Sequence, residues 1–160
     1  MILFGIPVDD PILRVATGTV IGMLIGFERA REHQVTGIRT LGLVGLASAL
    51  LTTVMATSAG ADFQGLSRAV QGLITGIGFL GAGVILRGRH RVHGLTTAAA
   101  IWTTTILGIA AGIGEIALAL GSAVVVYGFL ALGDRADDWI YRRFGKAPRK
   151  DDNGRSPDQA

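Results

Sequence analysis

The sequence predicts an all-α, polytopic membrane helical bundle of about five transmembrane helices, and three observations carry that expectation. The 160 residues are 49% hydrophobic. Their charges fall in short clusters separated by the uncharged runs 15–27, 40–61, 69–86, 94–114 and 116–133. Eighteen of the twenty-four glycines lie in these runs. A helix needs about 20 mostly apolar residues to cross a ~30 Å hydrocarbon core, and ~17 still suffice. A water-soluble helix of that length keeps a charged or polar face, yet no acid lies between Asp62 and Glu115.

The first span is expected to begin near residue 11. Its uncharged run is short, but Asp10 suits an N-cap and Pro11 a first helical position, with Arg14 at the interface. The N-terminus "MILFGIPVDDP" has no basic region and carries Asp9 and Asp10, so it does not read as a cleaved signal peptide and the first span serves as its own insertion signal. In "TGIRT", Gly37 reads as a turn, Arg39 as an interfacial arginine and Thr40 as a hydroxyl cap opening the second span. The third span follows Arg68. Residues 94–133 are too long for one crossing at 1.5 Å per residue, so they divide at "AGIGE", where two glycines and Glu115 make a tight turn. Part of this hairpin is also open to a re-entrant reading.

Five crossings place Arg29, Arg31, Arg39, Arg87, Arg89, Arg91 and the basic tail from Arg135 to Arg155 on one side, against Arg14 and Arg68 on the other. The positive-inside rule then puts the N-terminus outside and the C-terminus in the cytoplasm. Residues 1–133 form the transmembrane domain. Residues 134–160 read as a cytoplasmic interfacial helix, anchored by Trp139, Tyr141 and Phe144, followed by a disordered polar tail. The lipid bilayer is thus the first partner. No nucleic acid is expected, because the arginines at span ends are explained by topology. The absence of cysteine excludes a disulfide framework or thiolate metal site.

Gly76, Gly78 and Gly81 stand at G-x-G-x-x-G spacing, but a dinucleotide loop needs a preceding strand and an acid about 20 residues on. Neither fits a span with no acid until Glu115. The glycines are read instead as packing positions, since small residues let helix backbones approach where lipid supplies no hydrophobic drive to associate. Gly18, Gly22 and Gly26 form a stripe on the first span, Gly72 and Gly76 a pair on the third, and Gly108 and Gly112 a pair on the fourth, extended by Ala117 and Gly121 on the fifth. Such faces build a tight bundle or serve a homodimer.

Polar residues near the span ends are the candidates for chemistry. Glu28 and Glu32, four apart, can present both carboxylates to a hydrated hard cation such as Mg²⁺. Equally, they can pair with Arg31 and Arg29 as juxtamembrane ion pairs. Thr97, Thr104, Gly108, Ala111 and Glu115 share one face of the fourth span, which either lines a polar path or packs. His33, His90 and His93 lie among arginines and read as solvated loop residues. No hydrolytic constellation is apparent, no cofactor is expected, and no ionisable group sits at mid-depth where a pump or proton relay places one. A non-enzymatic role follows.

Four segments, "IGFERARE", "GIRTLGLVGLASAL", "GLITGIGFLGAGVILR" and "HGLTTAAAIW", in this order and spacing, resemble the membrane domain of the MgtC/SapB family over about residues 11–132. The resemblance implies a bacterial inner-membrane protein of about five spans, linked to growth in low magnesium and to acid tolerance. In some members it also implies survival inside phagocytes, through a regulatory contact with the membrane part of ATP synthase; older names imply magnesium transport. It carries the family's motif positions onto Glu28, Arg29, Arg31, Arg39, Thr40, Gly76, Gly78, Gly81, Gly83, Arg87, Gly94, Leu95, Thr96 and Thr97. Two departures stand out. Leu66 and Ser67 occupy the place of an Asp-Pro pair before Arg68. The chain also ends soon after the fifth span, as in a short form without the C-terminal soluble domain. A passive channel or carrier for Mg²⁺ or another cation is the alternative reading.

Overall fold

A computed structural model describes residues 2–3, 6–7, 10–32, 34, 36–58, 62–87 and 92–144, giving the backbone alone at 2–3, 6–7, 86–87, 92 and 134–144. Among the described residues five helices carry the fold: α1 (Pro11–Arg31), α2 (Ile38–Thr57), α3 (Phe63–Val84), α4 (Leu95–Ile113) and α5 (Ile116–Phe144). Two two-residue antiparallel ladders accompany them, β1 (Ile2–Leu3) with β2 (Ile6–Pro7) and β3 (Leu86–Arg87) with β4 (Val92–His93).

The helix ends follow local chemistry. Asp10 caps α1, its side chain accepting from the Ile12 N–H at 2.8 Å with Pro11 in the first turn. Asp62 caps α3 by accepting from the Gly65 N–H, so α3 begins at Phe63, about one turn ahead of Arg68. Thr40 is not a cap: α2 starts at Ile38 with Gly37 at the cap position and no side-chain bond, and Thr40 lies exposed in the first turn. The turn expected at residues 111–115 is present, with Gly114 in the left-handed conformation at φ 102°. Gly94 is also left-handed, at φ 86°, and a Cβ there would collide with the Val84 carbonyl. L-residues with a side chain rarely adopt that conformation, so Gly94 fixes how tightly the chain re-enters α4 from α3.

Among the described residues four helices are long and apolar enough to cross a membrane: α1, α2, α4 and the first 18 residues of α5, Ile116–Gly133. α3 has 22 residues but is diluted by Gln64, Arg68, Gln71 and six glycines. α5 continues without a break to Phe144; 29 residues at 1.5 Å each make it about 43 Å long, against ~30 Å of hydrocarbon. The segment expected as an interfacial helix after residue 133 is, as far as Phe144, helical and continuous in backbone with the last span. Residues 145–160, and the side chains of Trp139, Tyr141 and Phe144, lie outside what is described.

The centre of the bundle is a three-helix unit in which α1 runs antiparallel to both α2 and α4. A Cβ on Gly18 would come within 2.6 Å of Ala49 Cβ and 3.4 Å of Gly108 Cα. One on Gly22 would strike the Leu41 carbonyl, one on Gly26 would lie 2.7 Å from Ile38 Cα, and one on Gly45 would strike the Gly18 carbonyl. On α4, Gly108 would approach the Gly45 carbonyl at 2.9 Å, and Gly112 would strike Thr52 Oγ1. The place of each absent side chain is thus taken by the backbone or a short side chain of a neighbouring helix, the geometry by which small residues associate helices in lipid. Ile21, Ile25, Leu41, Ala100 and Ile101 complete the core. The α4 face expected to line a path or pack is packed at Thr97, Thr104, Gly108 and Ala111, all buried, while Glu115 is exposed.

The outside is apolar. Phe79 is 82% exposed, Phe129 77% and Val124 73%, a surface that suits lipid and that soluble monomers rarely carry as continuous patches. The remaining glycines differ from those of the central unit: a Cβ on Gly72, Gly76, Gly78, Gly83 or Gly121 would meet nothing within 4 Å, and one on Gly81 only Ala98 Cβ at 3.9 Å. The packing expected of these positions is not made inside the chain, because α3 touches the bundle mainly through Ile77 and its neighbours on the opposite side.

Candidate functional site

The last two turns of α1 hold four charges in five residues, and the helical period divides them between two clusters. Glu28 and Arg29 point into the bundle, only 4% and 3% exposed. Arg29 Nη1 donates to Glu32 Oε2 at 3.2 Å, and its Nη2 reaches Thr97 Oγ1 on α4 at 3.4 Å. Arg31 Nη1 donates to Glu28 Oε2 at 3.1 Å. The same oxygen accepts the Tyr127 hydroxyl of α5 at 3.0 Å. Three helices are therefore joined at this end by charge-assisted hydrogen bonds, the stronger kind.

Burial changes what the pairs do. An exposed i,i+3 pair contributes a few tenths of a kcal/mol, but a buried charge that loses its partner costs about 3–5 kcal/mol. Arg29 has been withdrawn from solvent, and its Nε has no hydrogen-bond partner among the described residues. The buried hydroxyls of Thr36 and Thr104 are in the same position. Such groups are retained only where the surrounding packing holds them.

Of the two readings of Glu28 and Glu32, the geometry has the ion pairs: each carboxylate is engaged by an arginine three residues away. Among the described residues no group of three or more His, Asp or Glu converges on a point where a metal could sit. A divalent cation at Glu28 would have to displace both a guanidinium and a phenol.

The other motif positions lie apart from this cluster. Arg39 and Thr40 are exposed on the first turn of α2. Gly94 turns the chain into α4, where Leu95 and Thr96 face outward and Thr97 inward. The side chain of Arg87, like His33 and His90, falls outside what is described; His93 is exposed. At the opposite end, the Arg14 guanidinium lies against Gly114, where a Cβ would be 3.1 Å from its Cζ. A cation there faces the carbonyl end of α4.

Tyr127 is the member that sequence reasoning missed. The available signal was a phenol inside an otherwise apolar run, 116–133, since a buried tyrosine hydroxyl usually finds a hydrogen-bond partner.

With the site described, its relatives can be placed beside it. The family model "MgtC family" matches residues 15–139. The chain is 43% identical over 113 residues to Protein SrpB of Synechococcus elongatus, covering 63% of this chain and 62% of that protein. It is 37% identical over 116 residues to Protein MgtC of Salmonella typhimurium, 72% of this chain and 48% of that one. It is 33% identical over 144 residues to Protein SapB of Bacillus subtilis, 85% and 60%. The chain thus spans about half to three-fifths of the length of these curated relatives. No solved structure matches. The matched region runs from the first turns of α1 into the extension of α5 and takes in every residue of the charge cluster; the chain is a multi-pass membrane protein that belongs to the MgtC family.

Proposed function

We propose that this chain is a non-enzymatic protein of the bacterial inner membrane that modulates ion or proton homeostasis, in adaptation to low magnesium or acid, by lateral helix-to-helix contact with a membrane partner. The membrane sector of ATP synthase is the partner that the family resemblance indicates. The supporting observation is the free face of α3. Gly72, Gly76 and Gly83 stand on it with no atom where a Cβ would be, and Phe79 projects between them. An open helix of this kind offers a close-packing surface for another transmembrane helix.

The passive cation path gains no comparable support. Its inner mouth would use carboxylates already held by arginines, and its route along α4 is closed by the backbone contacts of Gly18, Gly45 and Gly108.

ATP-driven proton pumping in inverted membrane vesicles tests the reading. Pumping is expected to slow when the chain is present and to recover when it carries Gly76→Leu. Unchanged pumping, with no membrane protein co-purifying in mild detergent, overturns it.

A further inference from the structure

A second feature lies on the other side of the bundle, where α1 and α5 diverge. Between them opens a groove of about 390 Å³ lined by Ile21, Leu24, Phe27, Ala123, Val124 and Tyr127, within the size range of pockets that hold small molecules. Its walls are hydrocarbon except at one end. There the Tyr127 hydroxyl donates to Glu28, and Glu28 accepts from Arg31. Leu24, Phe27 and Arg31 follow the helical i, i+3, i+7 spacing, so the arginine continues the stripe that forms the α1 wall.

We propose that this groove binds one anionic phospholipid of the surrounding bilayer, with an acyl chain along Leu24 and Ala123 and the phosphate on the Arg31 guanidinium.

Three arguments select that occupant. The first is length. From Ile21 to Arg31 is ten residues, about 15 Å of helix, which matches one leaflet, half of a ~30 Å hydrocarbon core. The second is width. A helix from another protein, about 10 Å across, could enter this half-open groove with only part of one face, whereas a flexible hydrocarbon chain lies along it. The third is charge. Arg31 is 60% exposed and one of its nitrogens is held by Glu28, leaving the rest of a planar five-donor fork to meet phosphate oxygens. The Glu28 carboxylate is 5% exposed and taken up by two donors, so it fixes the fork without facing the phosphate. Arg39, exposed at the same end, favours a headgroup that brings no cation of its own.

The test compares wild type with Arg31→Gln and Ala123→Phe in nanodiscs of phosphatidylglycerol mixed with phosphatidylcholine. The readout is the lipid retained per protein after extraction into mild detergent. Wild type is expected to enrich phosphatidylglycerol about fivefold, the effect of one basic residue at an anionic surface. Arg31→Gln abolishes the enrichment, and Ala123→Phe, which fills the groove, abolishes retention of either lipid. Equal retention of the two lipids by wild type overturns the proposal, as does enrichment that survives both substitutions. Should either variant fail to fold, phosphatidylglycerol with a photoactivatable acyl chain is applied to wild type. Labelling concentrated on Leu24, Phe27 and Val124 supports the site; labelling spread evenly over α3 and the outer face of α5 overturns it. Labelling that disappears in native membranes because another protein's helix is cross-linked in the groove also overturns it.

Discussion

α1 and α3 are glycine-rich helices of nearly equal length, 21 and 22 residues, and they use their glycines in opposite ways. On α1, Gly18, Gly22 and Gly26 are pressed against the backbones of α2 and α4. On α3, Gly72, Gly76, Gly78 and Gly83 face empty space. The same residue at the same spacing closes one interface and leaves another open, so a small-residue stripe specifies only that a neighbour can come close. Which neighbour does so is decided by what else the helix carries. α1 also brings Arg29 to Thr97 and Glu28 to Tyr127, polar contacts that fix its rotation, whereas the side-chain bonds of Asp62, Arg68 and Thr75 stay within α3 or its cap.

Substitutions sharpen this contrast. The largest effect is expected from Arg29→Ala, which removes the bonds to Glu32 and Thr97 and empties a buried place at the α1–α4 contact, and should destabilise by about 3–5 kcal/mol, the range for truncating a large buried side chain; equilibrium unfolding in detergent micelles measures it. A loss below 1 kcal/mol, of the order expected for a solvated surface pair, would mean that the cluster does not hold α1 in place. Next comes Gly22→Ala, whose methyl would strike the Leu41 carbonyl. A backbone atom cannot rotate away, so the cost should reach about 3 kcal/mol, the upper part of the overpacking range. Tyr127→Phe keeps the ring and removes one hydrogen bond to a carboxylate, a loss of about 2 kcal/mol that unfolding of the same preparation would register. The smallest effect belongs to α3: Gly76→Ala meets nothing and improves helix propensity, so stability should hold or rise by up to about 1 kcal/mol. If Gly22→Ala and Gly76→Ala shifted stability alike, the difference between the two helices would be broken.

Much of the architecture was legible in the sequence because the forces setting it are local. Uncharged runs located the helices, Asp10 and Pro11 located the start of α1, and the glycines before Glu115 located the last turn. The ion pairs of Glu28 and Glu32 were available as one of two readings, since a three-residue helical offset allows them. What escaped depends on the third dimension. Tyr127 lies 99 residues from Glu28, and no local pattern joins them. Thr40 looked like a cap, yet the start of α2 is set by Gly26 closing on Ile38 and the Gly37 carbonyl. The onset of charge at Asp134 does not end the helix, because acids and arginines change what surrounds a helix without breaking it.

The uninterrupted course of α5 has a mechanical consequence. Tyr127 ties this helix to α1, and the helix then continues for 17 residues to Phe144, a stiff arm of about 25 Å. A pivot of about 10° at the tyrosine would swing the tip of that arm by about 4 Å, taking the same rise per residue. Any tilt of α5 about its tie to Glu28 would thus be read out as a larger displacement at the far end of the rod.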